Sequence, residues 1–239
     1  EKDKSKNLIK QIAKLKDIKF YEGLGSIYDK TQRLRKLSGM LADELNLNKE
    51  KAEIAASISK SDLCSDLVNE YPDLQGLMGK YFALSQGFEE DVSNAVSDHY
   101  LPIRNNSFTS KKPISYTVAI ADKIDTLVGF FVINEKPTSS KDPFALRRSA
   151  IGLLRTIIDN KLNLKLRNLI SYDIKLFEDQ GVNKTNQKSE NERLNFLKER
   201  MKNILRDKNI KNDIIEASIS SYFNDNYFDL YKKNTFMNK

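Results

Sequence analysis

The sequence contains one cysteine, one histidine and no tryptophan among its 239 residues. The single Cys64 excludes an internal disulfide and a zinc site built from several cysteines. It lies in no motif with a partner histidine, so it is predicted to be a core thiol. The lone His99 is predicted to have a structural role near a helix end. The nucleotide-binding motifs GxxxxGKS/T and GxGxxG are also absent from the sequence.

Long apolar runs are missing as well. The densest apolar stretch, residues 127–133, is too short to cross a bilayer. The chain opens with EKDKSKN, which has no apolar signal-peptide core behind it. We therefore expect a cytoplasmic protein with no membrane partner.

The charge balance is basic. Forty lysines and arginines exceed 33 aspartates and glutamates, which gives a formal net charge of +7. Such a balance suits a polyanionic partner such as a nucleic acid. Lysine, asparagine and isoleucine are abundant throughout, however, as in AT-rich coding sequence. The net charge by itself therefore leaves both interpretations open.

Apolar residues recur with helical spacing along most of the chain, and no segment shows a convincing strand pattern. We predict an all-α fold. Asn48 and Asp142 are the expected N-caps of two helices, and Pro72 and Pro143 the expected first residues of two. The predicted helices span 6–19, 22–46, 49–60, 62–70, 72–85, 88–100, 115–133, 143–161, 191–206 and 210–223.

The helix predicted over residues 115–133 is apolar on almost every face, as expected for a helix inside a core. It nevertheless carries Asp122 and Asp125, which are three residues apart and so share one face. Carboxylates are rarely buried unless something pairs with them. The pattern therefore predicts a charged partner for this pair, and general acid–base chemistry is the weaker interpretation.

Two glycines, Gly76 and Gly79, fall inside the helix predicted over residues 72–85. Together they predict a smooth patch that another backbone approaches closely. A neighbouring helix is the favoured occupant of this patch, and an RNA backbone is the alternative.

Several segments together resemble the beta subunit of bacterial glycyl-tRNA synthetase. They are LGSIYDKTQRLRKLS, AASISKSDLCSDLVNEYPDLQGLMG, DHYLP, ADKIDTLVGFF and PTSSKDPFALRRSAIGLLR, and they occur in the family's order. The resemblance covers roughly residues 18–170, and it is the joint occurrence of the segments that is specific. It implies a helical bundle on the HD-domain scaffold with additional helices at its C-terminal side.

The resemblance also implies partners. The family's enzyme attaches glycine to its tRNA with ATP and magnesium, its alpha subunit holds the aminoacylation site, and its beta subunit grips tRNA. The expected partners are therefore glycine tRNA, the alpha subunit and the remainder of the beta subunit. We expect a non-catalytic fragment with no cofactor or metal of its own. Residues 1–180 would form the HD-like domain. Residues 181–239 would be a polar linker and helices leading toward an anticodon-binding domain.

Enzymes of the HD phosphohydrolase family hold a divalent metal through a histidine, an adjacent His-Asp pair and a later aspartate. Asp122 resembles the later aspartate, but Ser59 and Lys60 stand where the His-Asp pair would be. Neither is a credible metal ligand, so we expect a degenerate site. We predict that Lys60, Arg147 or both pair with Asp122 or Asp125 in place of a metal.

The phosphate contacts expected from the resemblance are basic residues on two helices and one loop: Lys30, Arg33, Lys141, Arg148 and Arg155. Two other functions stay open. One is a metal-dependent nucleotide phosphohydrolase of the HD family, which the missing histidines disfavour. The other is a structural domain that contacts only other parts of its own complex.

Overall fold

The computed structural model describes residues 3, 7–104, 107–138, 141–182 and 188–238. Within these ranges the structure is a helical bundle with one small hairpin, which confirms the predicted all-α class. Three short 3-10 helices interrupt it, at Ala13–Asp17, Ser61–Cys64 and Pro72–Leu74. The other elements are α1 (Leu8–Ile12), β1 (Lys19–Tyr21), β2 (Gly25–Ser26), α2 (Ile27–Glu44), α3 (Lys49–Ile58), α4 (Asp66–Glu70), α5 (Leu77–Ser85), α6 (Glu90–Asp98), α7 (Pro113–Val132), α8 (Leu146–Asp159), α9 (Leu166–Asp179), α10 (Lys188–Arg206), α11 (Asn212–Tyr222) and α12 (Tyr227–Met237).

Helix α7 is the centre of the bundle, as its apolar sequence predicts. It packs against α2, α3, α6, α8, α9 and α10. Pro113 begins the helix, where its missing N–H would have no intrahelical partner. Because helices surround α7, its polar side chains must find partners inside the core. No helix in the described ranges has the length and apolar character needed to span a membrane.

The hairpin corrects the predicted helix over residues 22–46. Strands β1 and β2 pair antiparallel, and Gly23 and Gly25 both have φ of +79°. L-residues rarely adopt this conformation, so the turn depends on glycine. Helix α2 therefore begins only at Ile27. Ser26 and Asp29 form its capping box, in which each side chain accepts from the backbone N–H of the other residue.

Gly76 corrects a second predicted helix. The sequence predicts a helix over residues 72–85 that contains Gly76. In the structure the φ of Gly76 is +78°, and α5 begins after it. The buried Asp62 carboxylate accepts from the backbone N–H groups of Gly76 at 2.6 Å and Gly79 at 3.2 Å. A Cβ on Gly79 would lie 2.6 Å from Val96 of α6. The close neighbour is thus a helix, as favoured from the sequence.

Several other helix boundaries differ from the predicted ones. Asn48 caps α3 as predicted, but α8 begins at Leu146, later than its prediction. Its N-cap residue is Ala145 and not Asp142, although the Asp142 carboxylate accepts from the N–H groups of Leu146 and Arg147. Helices α9 and α12 were not predicted, and the first predicted helix is α1 followed by a 3-10 helix. Parts of three predicted loops or linkers (101–113, 137–143 and 179–191) lie outside the described residues.

Candidate functional site: a buried charge cluster and a basic helix face

Helices α2 and α7 bring two cations onto one carboxylate in the core. Arg33 Nε lies 2.5 Å from Asp125 Oδ1, and Lys30 Nζ lies 2.9 Å from Asp125 Oδ2. Asp125 is 0 % exposed, Lys30 3 % and Arg33 1 %. This burial corrects the prediction that Lys30 and Arg33 contact tRNA phosphates, because in this fold both already pair with Asp125.

Asp122 lies one helical turn earlier, between two lysines. Its Oδ1 is 3.2 Å from Lys30 Nζ and 3.3 Å from Lys60 Nζ. The predicted ion pair between Lys60 and Asp122 is therefore confirmed. Burial on its own would raise the pKa of the Asp122 carboxyl. The charges of Lys30 and Lys60 outweigh that effect and hold the pKa well below its usual range.

Two other residues of the predicted degenerate site do not join Asp122. The prediction that Arg147 pairs with Asp122 or Asp125 is wrong. Its guanidinium donates to the carbonyl oxygen of Thr138 instead. Ser59 is buried at the end of α3, where its hydroxyl donates to the carbonyl of Ala56 at 2.8 Å. Of the two predicted partners of the aspartates, Lys60 reaches Asp122 and Arg147 reaches neither.

His99 ends α6 and is fully buried, as expected of a structural histidine. Its Nδ1 lies 2.8 Å from the carbonyl oxygen of Val96, which assigns the ring proton to Nδ1. Its Nε2 then accepts from Lys60 Nζ at 2.7 Å. Lys60 therefore bridges His99 and Asp122. Sequence analysis missed this bridge, because 39 residues separate Lys60 from His99.

The environment of His99 predicts an acid-sensitive fold. Burial, and next the charge of Lys60, lower the pKa of His99 well below its usual value. Below pH 6.5 the unfolded chain then binds a proton that the folded chain does not, so stability rises with pH in this range. We expect unfolding free energy to drop by about 1 kcal/mol from pH 6.5 to 5.5. Since this is the chain's only histidine, its imidazole NMR signal can be followed directly. Titration at pH 6.5 or above would contradict the assignment.

Two further buried groups complete the cluster. Lys123 Nζ donates to the carbonyl oxygens of Leu101 at 2.7 Å and His99 at 3.1 Å, and burial lowers its pKa to about 8. Burial, and next the charge of Asp125, raise the pKa of the Asp173 carboxyl well above its usual range. Asp173 forms no ion pair in the described ranges, whereas the Asp125 carboxylate lies between Lys30 and Arg33.

This donor set does not fit a divalent cation. Such ions take several carboxylate, imidazole or thiolate ligands, whereas Asp122 faces the ammonium groups of Lys30 and Lys60. Across the described ranges, no group of three or more histidines, cysteines, aspartates and glutamates could hold a metal ion. The arrangement is instead a cluster of salt bridges and hydrogen bonds in the core, which links α2, α7 and the ends of α3 and α6.

The other predicted cations lie around α8, which packs against α10. Lys141 and Arg148 are exposed, and Arg155 is half-buried. Sequence analysis missed Arg200 of α10. Burial, and next the charge of Arg147, lower the pKa of Arg200, so these two like charges lie near each other. In the described part of the chain, no carboxylate lies within 4 Å of the cationic nitrogens of Arg147, Arg148 or Arg200.

A groove of about 350 Å³ has Arg155 of α8 in its lining. It lies between α8, α10 and α12, and Arg155, Lys208 and Tyr231 contribute to its lining. Its polar walls also include two acidic residues, Asp159 and Asp207. We call the surface formed by Lys141, Arg147, Arg148, Arg155 and Arg200 the α8–α10 face. Of these five cations only Arg155 lines the groove, whose other charged residues in the described ranges are Lys208, Asp159 and Asp207.

Comparison with known proteins gives a consistent result. A family model described as glycyl-tRNA synthetase beta subunit matches residues 1–220. A glycine–tRNA ligase beta subunit of Clostridioides difficile is 40% identical over 225 residues, covering 93% of this chain and 32% of that protein. Those of Colwellia psychrerythraea and a Janthinobacterium species are 40% and 36% identical over 91% and 92% of this chain. The chain spans about a third of the length of these relatives.

Proposed function

The chain belongs to the glycyl-tRNA synthetase beta subunit family, and from this premise we propose that it is a non-catalytic helical part of a glycine–tRNA ligase. On this proposal it helps to bind and orient glycine tRNA, while aminoacylation with ATP and magnesium takes place on a separate alpha subunit. Its partners are the tRNA, that alpha subunit and the rest of the beta subunit. Residues 1–180 provide the HD-like scaffold, and the later helices extend it.

The observation that carries the tRNA-binding role is the pair of like charges on the α8–α10 face. Burial, and next the charge of Arg147, lower the pKa of Arg200, while the carboxylates of Glu199 and Asp142 act in the opposite direction. Like charges repel, and this repulsion is relieved when an anion binds between or beside them. Guanidinium groups bind phosphate oxygens in a planar, bidentate way. Contacts of this kind fix the position of an RNA backbone and carry little sequence information.

The proposal predicts a charge-reversal effect on tRNA affinity. Arg148→Glu and Arg200→Glu in the intact ligase are each expected to weaken glycine-tRNA binding. Each change should also reduce the slope of log affinity against log salt by roughly 0.7–0.9, because one phosphate contact is lost. Binding is measured by gel shift at several salt concentrations.

Lys36→Glu is the matched control for these variants. Lys36 is an exposed lysine on α2, outside the α8–α10 face, and its replacement makes the same change in charge. It should leave the salt slope unchanged. Equal losses in all three variants would show a general electrostatic effect. Full affinity in both arginine variants would show that tRNA does not contact this face.

Of the two other candidate functions, the structure disfavours a phosphohydrolase and is compatible with an assembly role. A metal-dependent phosphohydrolase is disfavoured, because Asp122 pairs with the ammonium groups of Lys30 and Lys60, which cannot ligate a metal. An assembly role is favoured by a separate observation, an exposed apolar groove far along the chain from α8 and α10. The two roles are compatible, since they use different surfaces.

A further inference from the structure

An apolar groove lies where the start of α5, the end of α6 and the following loop meet. Three large apolar side chains on its walls are exposed to solvent: Leu77 is 44 % exposed, Ile103 62 % and Phe108 72 %. The groove has a volume of about 440 Å³. Single exposed apolar residues are ordinary, but three that converge on one concavity indicate a binding surface. We call this surface the Phe108 groove.

Phe108 is held in its exposed position. Before it, the Ser107 N–H and hydroxyl both donate to the carbonyl of Arg104. After it, Thr109 donates to Asp159 at 2.9 Å and Ser110 donates to Asp98 at 3.0 Å. Thr109 and Ser110 are both buried. The loop thus anchors its polar residues and leaves the aromatic ring outside. Because the residues on both sides of Phe108 are anchored, its backbone loses little conformational entropy when a partner covers the ring.

The charge of the Phe108 groove differs from that of the whole chain. The net charge of the protein is +7. Among the described residues that line this groove, however, are Asp73 and Asp98 but no lysine or arginine. Lys112, outside the lining, lies 3.8 Å from Asp98, so Asp73 is the lining carboxylate with no ion pair in the described ranges. Walls that carry such a carboxylate disfavour a nucleic-acid backbone. They complement a polypeptide that inserts an apolar side chain and carries a lysine or arginine beside it.

The size of the groove limits what can occupy it. Its three exposed apolar side chains offer roughly 300 Å², whereas a stable complex of separate proteins buries about 800 Å² on each partner. A contact this small can persist when both sides belong to one polypeptide, because the linkage supplies a high effective concentration. The chain spans about a third of the length of its relatives, so such a polypeptide would have further segments available.

We propose that the Phe108 groove docks another segment of the same beta subunit, through an apolar side chain flanked by a lysine or arginine. This inference rests on the proposed function, namely that the chain works as part of a longer ligase subunit. The groove would then fix the orientation of the bundle, including its α8–α10 face, relative to the rest of that subunit.

Site-specific photocrosslinking in the intact ligase tests the proposal. Phe108 is replaced with the photoreactive p-benzoylphenylalanine in the full-length beta subunit, and crosslinked peptides are identified by mass spectrometry. The expected product is an intrachain crosslink to a segment outside this chain, at an apolar residue with a lysine or arginine within four positions. In a second sample, Phe108→Ala should raise hydrogen exchange in the crosslinked segment about tenfold, because a buried aromatic anchor is lost.

Phe236 provides the matched control. It is 77 % exposed and lies on α12, outside the Phe108 groove, so the same photoreactive residue there should give at least several-fold less of the intrachain product. Crosslinks from position 108 to tRNA, to the alpha subunit or to a second copy of the chain would each overturn the proposal, as would no crosslink. Gel shifts on the same samples report tRNA binding. If the ligase binds no glycine tRNA and the intrachain crosslink nevertheless forms, only the proposed tRNA contact is refuted.

Discussion

Asp125→Asn is expected to lower the free energy of unfolding by about 3–5 kcal/mol, because it leaves buried cations without their anion. Asp125 is 0 % exposed and pairs with both Arg33 and Lys30. The amide that replaces it keeps the shape of the side chain but has no charge to offset them. Lys30 retains Asp122 at 3.2 Å, whereas Arg33 retains no carboxylate within 4 Å in the described ranges. Urea unfolding followed by circular dichroism measures the change.

The matched control for this prediction is Asp43→Asn on the surface. Asp43 lies 2.5 Å from Lys49, a distance similar to that of the Arg33–Asp125 pair, but both side chains are more than half exposed. Water and salt screen this pair, so its removal should leave the urea midpoint nearly unchanged. If the two variants shift the midpoint equally, burial does not set the strength of the Asp125 contacts.

The second large effect is expected at Lys60. Lys60→Met should cost about 3 kcal/mol, since it removes a cation from Asp122 and leaves the Nε2 acceptor of His99 without a donor. Methionine has nearly the same length and keeps the packing against Tyr100, over whose ring the ammonium lies at 4.1 Å. The residual pairing of Asp122 with Lys30 keeps the cost toward the lower end of the range for broken buried pairs.

A double-mutant cycle separates this ion pair from packing. Lys60→Met combined with Asp122→Leu should cost less than the sum of the single changes, by on the order of 1–3 kcal/mol. The imidazole of His99 gives an independent measure. The charge of Lys60 lowers the pKa of His99, so in Lys60→Met the NMR titration should move upward. Additive costs within about 0.5 kcal/mol, or an unchanged His99 titration, would contradict the bridge.

These buried pairs suggest how the scaffold keeps its shape. Breaking one partner of a buried pair is costly, whereas the complete pair is only weakly stabilising against an apolar replacement. The cluster around Asp122 and Asp125 therefore fixes which faces of α2, α6 and α7 meet. Helix α8 packs on α7. Our hypothesis is that the fixed helix contacts in the cluster hold α8 in one orientation, and so fix the positions of its arginines. The Asp122–Lys60 cycle tests the hypothesis when tRNA affinity is measured alongside stability.

Local sequence signals determined much of this protein. Helical periodicity gave the all-α class and the central position of α7, and Asn48 was recognised as a cap. An aspartate inside an apolar helix predicts a nearby cation, and the resemblance to the HD scaffold identified that cation as Lys60, which does pair with Asp122. These features depend on residues within a few turns of one another, or on the high cost of an unpaired buried charge.

The tertiary structure decided which charged residues are inside the core. Lys30 and Arg33 were predicted to contact tRNA phosphates, which requires exposed side chains, and charged side chains usually are exposed. Helix α2, however, is covered by α3 on one side and by α7 and α9 on others, so two of its cations point inward to Asp125. Similarly, Arg147 and Arg200 are 53 positions apart in the sequence. The charge of one affects the pKa of the other only because α8 packs on α10. Helical periodicity specifies the faces of one helix, and long-range packing selects which of those faces meet another helix and which meet water.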